Sequence, residues 1–356
     1  MRIALLGWAG SGKTTVFNAV ADSRVPSTPG VLQTEEHVQV VKVQDPRMVR
    51  LRDLFKPKKF TLAGLELHDP PGLPAGTEPG DAEKRTRLLG ALRESDGYVL
   101  VVRGFSTDSY AYPRPAPDPA ADVARLVEEL MVSDLNLLQG RAERLRENIK
   151  KRAKSLEQDQ RELAVIERML PRLEAGKGLQ DLEVSVEDER KIRGFQLFSR
   201  KPYVLLVNGP AGVPAGLGDG LAFPMPTRIA LDGMLAAELA AMDPADRPAF
   251  MAEFGIDEPA SERVVHAVYQ AAGLRSFFTV GEDEVRAWTI RVGDDAVTAA
   301  SKIHSDLAKG FVRAEVTPYD AIVSAGGLKE SKAAMRLEGK DYVVGDGDIV
   351  HIRSSV

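Results

Sequence analysis

Apolar residues occur along this chain in two rhythms. In the first, residues 2–6 (RIALL), 98–102 (YVLVV) and 203–207 (YVLLV) form short apolar blocks. Such blocks predict parallel strands covered on both faces. Residues 37–43 (HVQVVKV) alternate like a half-buried strand, and 61–68 (TLAGLELH) read as one further strand ending at Asp69. A helical stretch over 14–21 follows the first block across a Gly-rich turn. Strands alternating with helices predict a doubly wound α/β domain.

The second rhythm is a spacing of 4, 3, 4, 3, 4 through Met131, Leu135, Leu138, Ala142, Leu145 and Ile149, resumed by Leu163, Ile166, Leu170 and Leu173. That is the seam of packed helices. It predicts an antiparallel coiled-coil hairpin inserted into the α/β domain after a stiff Pro-rich linker over 113–119. The outer face of the hairpin carries Arg141, Arg144, Arg146, Lys150, Lys151, Arg152 and Lys154. From about residue 274 short strands (285–292, 311–316, 349–353) surround one helix over 296–309, which predicts a small α+β domain. The expected division is residues 1–117 with 196–273 as the doubly wound α/β domain, 118–195 as the hairpin and 274–356 as the last domain.

Composition narrows the function. A length of 356 residues suits two or three domains. With 47 basic against 52 acidic residues the net charge is -5, so any RNA contact has to use local patches. The absence of cysteine excludes disulfides, thiol catalysis and Cys-based metal sites, and it suits a cytoplasmic protein. No apolar run approaches the roughly 18 residues of a membrane span. The first residues read as a buried strand rather than a signal peptide. No membrane partner is expected, and a monomer is the default.

Gly7-Trp8-Ala9-Gly10-Ser11-Gly12-Lys13-Thr14 fits G-x4-G-K-[ST] in full, between a strand and a helix. Gly7, Gly10, Ser11 and Gly12 let consecutive backbone N–H groups close around a β-phosphate. Lys13 reaches the β- and γ-phosphates, Thr14 ligates Mg²⁺, and Thr15 lies in the helix turn whose positive end faces the anion. Asp69-Pro70-Pro71-Gly72 fits D-x-x-G after a strand, making Asp69 the acidic residue on the Mg²⁺ side and Gly72 N–H a γ-phosphate sensor. Leu73 follows where many such enzymes have a water-positioning Gln, and Leu cannot orient water. Slow hydrolysis is expected.

These residues resemble the Obg-like ATPase family, also called YchF. The resemblance is carried by Asp45-Pro46-Arg47, Leu54-Phe55-Lys56-Pro57-Lys58-Lys59, Asp69-x-x-Gly72-Leu73 and Val102-Arg103-x-Phe105. In the last domain it continues through Phe277-Phe278-Thr279, residues 284–290 (EVRAWTI), Ile303-His304-x-Asp306, Gly310-Phe311-x-Arg313-Ala314 and residues 338–342 (EGKDY). It implies a GTPase-like domain with a coiled-coil insertion and a C-terminal β-grasp (TGS) domain. It also implies hydrolysis, commonly of ATP, with Mg²⁺, and association with ribosomes or rRNA. Leu73 matches the family's hydrophobic residue in place of the catalytic Gln. Thr34, 21 residues beyond Lys13, matches its switch Thr for the metal. The base-reading motif Asn-x-x-Glu becomes Asn208-Gly209-Pro210-Ala211. Ala211 accepts no hydrogen bond, so weak discrimination between ATP and GTP is expected. Other departures are Gly10-Ser11 in place of Asn-Val, Gly30-Val31-Leu32-Gln33 before Thr34 in place of Phe-x-Thr-Ile context, and Tyr112 nearest the family's loop His.

Two other function classes compete. A P-loop small-molecule kinase would carry an Arg-rich lid rather than D-x-x-G and a coiled-coil insertion. A non-hydrolysing, nucleotide-regulated ribosome- or RNA-binding protein is the alternative that Leu73 and the missing His leave open.

Overall fold

In a computed structural model of the chain the described residues are 1–26, 33–74, 76, 78–106, 116–151 and 156–355. Residues 30–32, Tyr112, the linker residues 113–115, Arg152 and Lys154 lie outside them. In chain order the elements are β1 (Arg2–Leu6), α1 (Lys13–Ala21), β2 (His37–Lys42), α2 (Pro46–Phe55), β3 (Lys59–Thr61), β4 (Gly64–Asp69), α3 (Asp81–Leu92), β5 (Gly97–Arg103), α4 (Pro119–Lys150), α5 (Leu156–Glu174), α6 (Val186–Ile192), β6 (Tyr203–Asn208), β7 (Thr227–Leu231), α7 (Gly233–Ala241), α8 (Arg247–Glu253) and α9 (Ala260–Ala271). They continue as β8 (Leu274–Val280), β9 (Glu284–Arg291), α10 (Ala296–Ile303), α11 (Ser305–Lys309), β10 (Phe311–Pro318), α12 (Tyr319–Ala325), β11 (Arg336–Glu338) and β12 (Asp348–Ser354). No helix among the described residues is long and apolar enough to cross a membrane.

The chain divides into two compact units, Met1–Gln39 with Glu66–Ala267, and Val40–Leu65 with Val268–Val356. Most of the sheet ordered β2-β4-β1-β5-β6-β7 lies in the first, with the end of β2 and the start of β4 in residues 40–65. Its central neighbours are parallel: β1 with β4 and β5, β5 with β6, and β6 with β7. The apolar blocks are buried as expected for strands covered on both faces, every residue of β5 and β6 being buried. Alternate residues Ala4, Leu6, Tyr98, Leu100, Val102, Leu205 and Val207 share one core with Val123, Leu126, Val127 and Leu130 of α4. Tyr98, Tyr203 and Phe223 stack within it at ring separations of 5.3 and 5.2 Å.

Helix α4 extends well past that sheet core. Its farther seam residues Leu138, Ala142 and Leu145 are fully buried against Val165, Ile166, Met169 and Leu173 of α5 in a separate core. Asp118 caps α4 by accepting from Ala121 N, with Pro119 in the first turn.

In the second unit the strands are ordered β11-β10-β12-β8-β9-β3. Residues 40–65, counted from sequence with the nucleotide-binding domain, belong here. β3 pairs in parallel with β9 through Lys59–Glu284 and Thr61–Arg286. Arg47 pairs with Asp45 at 2.8 Å and with Asp346 at 2.7 Å, and its guanidinium lies 5.1 Å from the Phe278 ring centre. Two expectations change in detail. The single strand over 61–68 is two strands, β3 and β4. The helix over 296–309 breaks at His304, which is extended (φ -163°) and whose Nδ1 accepts from Asp306 N to cap α11.

Asp134 of α4 fixes that helix to the chain entering β6. The carboxylate is fully buried and accepts from Phe198 N (3.2 Å), Ser199 N (2.8 Å), Ser199 Oγ (2.7 Å) and Arg93 Nη1 (2.6 Å). Removing one partner of a buried pair leaves the other uncompensated. We expect Asp134→Ala to destabilise the first unit by about 3–5 kcal/mol in urea unfolding, with Asp134→Asn losing less. A loss of under about 1 kcal/mol would show that this carboxylate is not the anchor of α4.

Candidate nucleotide site

The loop from Gly7 to Gly12 joins β1 to α1 at the carboxyl edge of the sheet, where open α/β sheets bind ligands. Gly12 stands at the helix N-terminus with φ 84°, and no side chain caps the helix there. A Cβ at Gly12 would fall 2.1 Å from Asn208 Nδ2, so both the backbone angle and the space demand glycine. The first amides of α1 are thereby left to an anion. Gly10 also has positive φ, Ser11 is buried with an Oγ that has no hydrogen-bond partner, and Thr15 is half-buried in the first turn.

Lys13 is 6% exposed and Asp69, at the end of β4, is 0% exposed. Burial pushes the Lys13 ammonium below its ordinary pKa against the attraction of Asp69. Burial likewise pushes the Asp69 carboxyl up, opposed by Lys13 and by the Thr14 hydroxyl. Thr14 Oγ1 lies 2.8 Å from Asp69 Oδ2, while Asp69 Oδ1 is buried without a hydrogen-bond partner. Both oxygens suit a hard cation such as Mg²⁺. Among the described residues no group of three or more His, Cys, Asp or Glu could hold a metal. One carboxylate and one hydroxyl are what a site completed by phosphate and water requires.

The segment after Asp69 folds back onto the loop. Leu73 N donates to Gly7 O (3.0 Å) and Ala9 N donates to Leu73 O (2.9 Å). Gly72 is pressed so close that a Cβ would meet Ala9 Cα at 2.6 Å. Leu73 is fully buried in one cluster with Trp8, Leu89 and Val123. Trp8 in turn donates from Nε1 to Asp122 O (3.2 Å) on α4.

Two residues singled out from the sequence stand differently in the structure. Thr34 is exposed, and its neighbour Gln33 reaches the site instead, with Oε1 2.7 Å from Thr14 Oγ1 and Nε2 donating to Asp69 O at 2.8 Å. Counting residues from Lys13 selects Thr34; nothing local in the sequence marks Gln33. Asn208 is 4% exposed and both ends of its amide are engaged. Nδ2 donates to Ser11 O (3.1 Å) and Oδ1 accepts from Gly233 N (3.0 Å), so it clasps the phosphate loop to the start of α7. Ala211 is exposed in the following loop.

The basic face of α4 is partly neutralised. Arg141 makes a two-point pair with Glu162 (2.6 and 2.8 Å), Arg146 pairs with Glu167 (2.9 Å) and Lys151 lies 3.8 Å from Glu147. Arg144 and Lys150 are exposed, and no ion pair is found for them among the described residues.

Residues 274–355 match the YchF-GTPase_C family model, described as a protein of unknown function (DUF933). Over its whole length the chain is 33% identical to the protein named Ribosome-binding ATPase YchF of Haemophilus ducreyi, covering 99% of that protein. The protein of the same name in Bacillus subtilis is 30% identical, with 99% of this chain and 98% of that protein covered. The fold matches the structure of the Schizosaccharomyces pombe YchF GTPase with a TM-score of 0.78 and 24% identity over 99% of this chain and 97% of that one. The architecture is therefore an α/β P-loop GTPase fold, and with full-length identity of this order, the chain belongs to the YchF family.

Proposed function

We propose that this protein binds ATP, and GTP with similar affinity, together with Mg²⁺, hydrolyses the triphosphate slowly, and acts as a ribosome-associated switch. The observation that carries this reading is the buried cluster of Lys13, Thr14 and Asp69 beneath an uncapped helix N-terminus. Its relatives are named ribosome-binding ATPases. In this reading residues 118–195 form a coiled-coil hairpin insertion within the P-loop domain, and residues 274–356 are a β-grasp (TGS) module. The protein works in the cytoplasm.

Each residue has a task in phosphoryl transfer, which depends on positioning and charge neutralisation. The loop amides from Gly10 to Thr15 hold the β-phosphate. Lys13 spans β- and γ-phosphates, in a site dry enough for its charge to act strongly. Thr14 and Asp69 would hold Mg²⁺, which would supply positive charge against the phosphate oxygens. Gly72, whose lack of a side chain keeps its amide close to the loop, offers an N–H to the γ-phosphate. Leu73 supplies no group that orients water, so basal turnover is slow. That same burial of Leu73 favours the second reading, a nucleotide-regulated ribosome binder that does not hydrolyse.

Base selection is weak in this account. Asn208 spends its amide on Ser11 and Gly233, and Ala211 provides no acceptor for the guanine N1 and N2 hydrogens. Losing a charged hydrogen-bond partner is worth roughly 1.5–3 kcal/mol, or about 10- to 150-fold. Phosphate release measured with ATP and GTP, with and without ribosomes, should show slow turnover with ATP equal to or slightly better than GTP. A GTP preference beyond about 100-fold would mean that another residue reads the base. No release under any condition would select the non-hydrolysing reading.

The ribosome contact is assigned to the hairpin face. Lys and Arg contacts to phosphates release counterions, so co-sedimentation with ribosomes should fall steeply with salt. Changing Arg144, Lys150 and Lys151 together to Glu should weaken it further, through the two exposed cations without ion pairs. Wild-type co-sedimentation by this variant would leave the face a solvated surface.

A further inference from the structure

Gln33 sits where three oxygens crowd together. Thr14 Oγ1 is 2.7 Å from Gln33 Oε1 and 2.8 Å from Asp69 Oδ2. A hydroxyl carries one hydrogen, and an ionised carboxylate and a carboxamide oxygen carry none. With Asp69 ionised, as a metal-holding carboxylate is, one of the two close oxygen contacts has no hydrogen in it. The Gln33 amide cannot relieve this by turning over. Its Nε2 lies 2.8 Å from Asp69 O, 2.7 Å from Glu35 O and 2.9 Å from His37 Nδ1, and the two carbonyl oxygens only accept. Turning the amide over would set Oε1 against both carbonyls, so Oε1 is held towards Thr14. A second donor shortage lies beside it, since Asp69 Oδ1 is buried with no donor among the described residues.

Oxygens packed this closely without hydrogens between them are what a small divalent cation gathers. Mg²⁺ takes oxygen ligands in an octahedron, in which adjacent oxygens stand about 2.9 Å apart. Resting on the Mg²⁺-nucleotide reading above, we infer that Gln33 contributes its carboxamide oxygen to the divalent-metal site, beside Thr14 and Asp69, in the place that residue counting assigns to Thr34. The chemistry is that of a neutral oxygen ligand on the flexible side of the site, and its two backbone bonds set its orientation. Binding of Mg²⁺ with the triphosphate then fixes residues 33–35 through Gln33. Loss of the γ-phosphate or metal frees this segment from Thr14, which gives the nucleotide state a local readout in this chain.

The test is a titration of a fluorescent ATP analogue at fixed concentration against Mg²⁺, using the full chain and the variants Gln33→Ala, Gln33→Glu and Thr34→Ala. Circular dichroism confirms that each is folded. Gln33→Ala should raise the Mg²⁺ midpoint by roughly tenfold or more while leaving residual binding in excess EDTA at the wild-type level. Gln33→Glu, which keeps an oxygen but loses the amide hydrogens that orient it, should shift the midpoint less than Gln33→Ala does. Thr34→Ala should shift it less than Gln33→Ala does. Manganese binding followed by electron paramagnetic resonance should show the same order without reference to turnover. A Gln33→Ala midpoint equal to or below wild type overturns the inference; a lower one would make Gln33 a plug that the metal displaces. A larger shift for Thr34→Ala overturns it as well. If the wild type itself binds the analogue with no dependence on Mg²⁺, the underlying metal reading fails, and that result is visible before any variant is made.

Discussion

Two opposite charges buried at the carboxyl ends of β1 and β4 set the terms for the rest of the site. Lys13 and Asp69 have almost no contact with water, and each is pushed by burial towards its neutral form. Their mutual attraction offsets only part of the desolvation. Further groups beside them are left open: Gly12 leaves the helix start uncapped, and Ser11 Oγ and Asp69 Oδ1 lack partners among the described residues. A protein keeps such an arrangement where a ligand completes it. In the proposed reading a triphosphate with its metal would bring negative charge to Lys13 and the helix amides and positive charge to Asp69.

The same close packing fixes the segment that follows Asp69. Leu73 closes two backbone hydrogen bonds with the phosphate loop while its side chain fills the core beside Trp8. The residue that elsewhere would be a mobile Gln is here a fixed part of the wall. Trp8 reaches α4 through Asp122 O, and Asp134 holds the same helix to the chain entering β6. Nucleotide loop, D-x-x-G segment and long helix therefore share one set of contacts. A shift of Gly72 on triphosphate binding would be felt by α4 through Leu73 and Trp8.

Much of this was legible in the sequence because it is local. The phosphate loop needs glycine at fixed positions between a strand and a helix, and Asp69 closes a strand whose neighbours are apolar. What escaped depends on distant partners. β3 is placed by pairing with β9, more than 200 residues on, so residues 40–65 leave the first unit although nothing in their composition says so. Arg47, conspicuous in Asp45-Pro46-Arg47, meets Asp346 and Phe278 only in three dimensions. The amide of Asn208 is engaged at both ends by Ser11 and Gly233, and Gln33 meets Thr14 across 19 residues of chain, contacts that no local pattern announces.

The account stands on Lys13 being held in a dry pocket for a phosphate. Its most direct test is the equilibrium affinity of Lys13→Ala for Mg²⁺-ATP, measured by calorimetry on protein whose fold is confirmed by circular dichroism. Removing one side of a charged, desolvated contact costs about 2–5 kcal/mol, so affinity should fall by roughly 30-fold or more. A folded Lys13→Ala variant that binds Mg²⁺-ATP as tightly as the wild type would contradict the account.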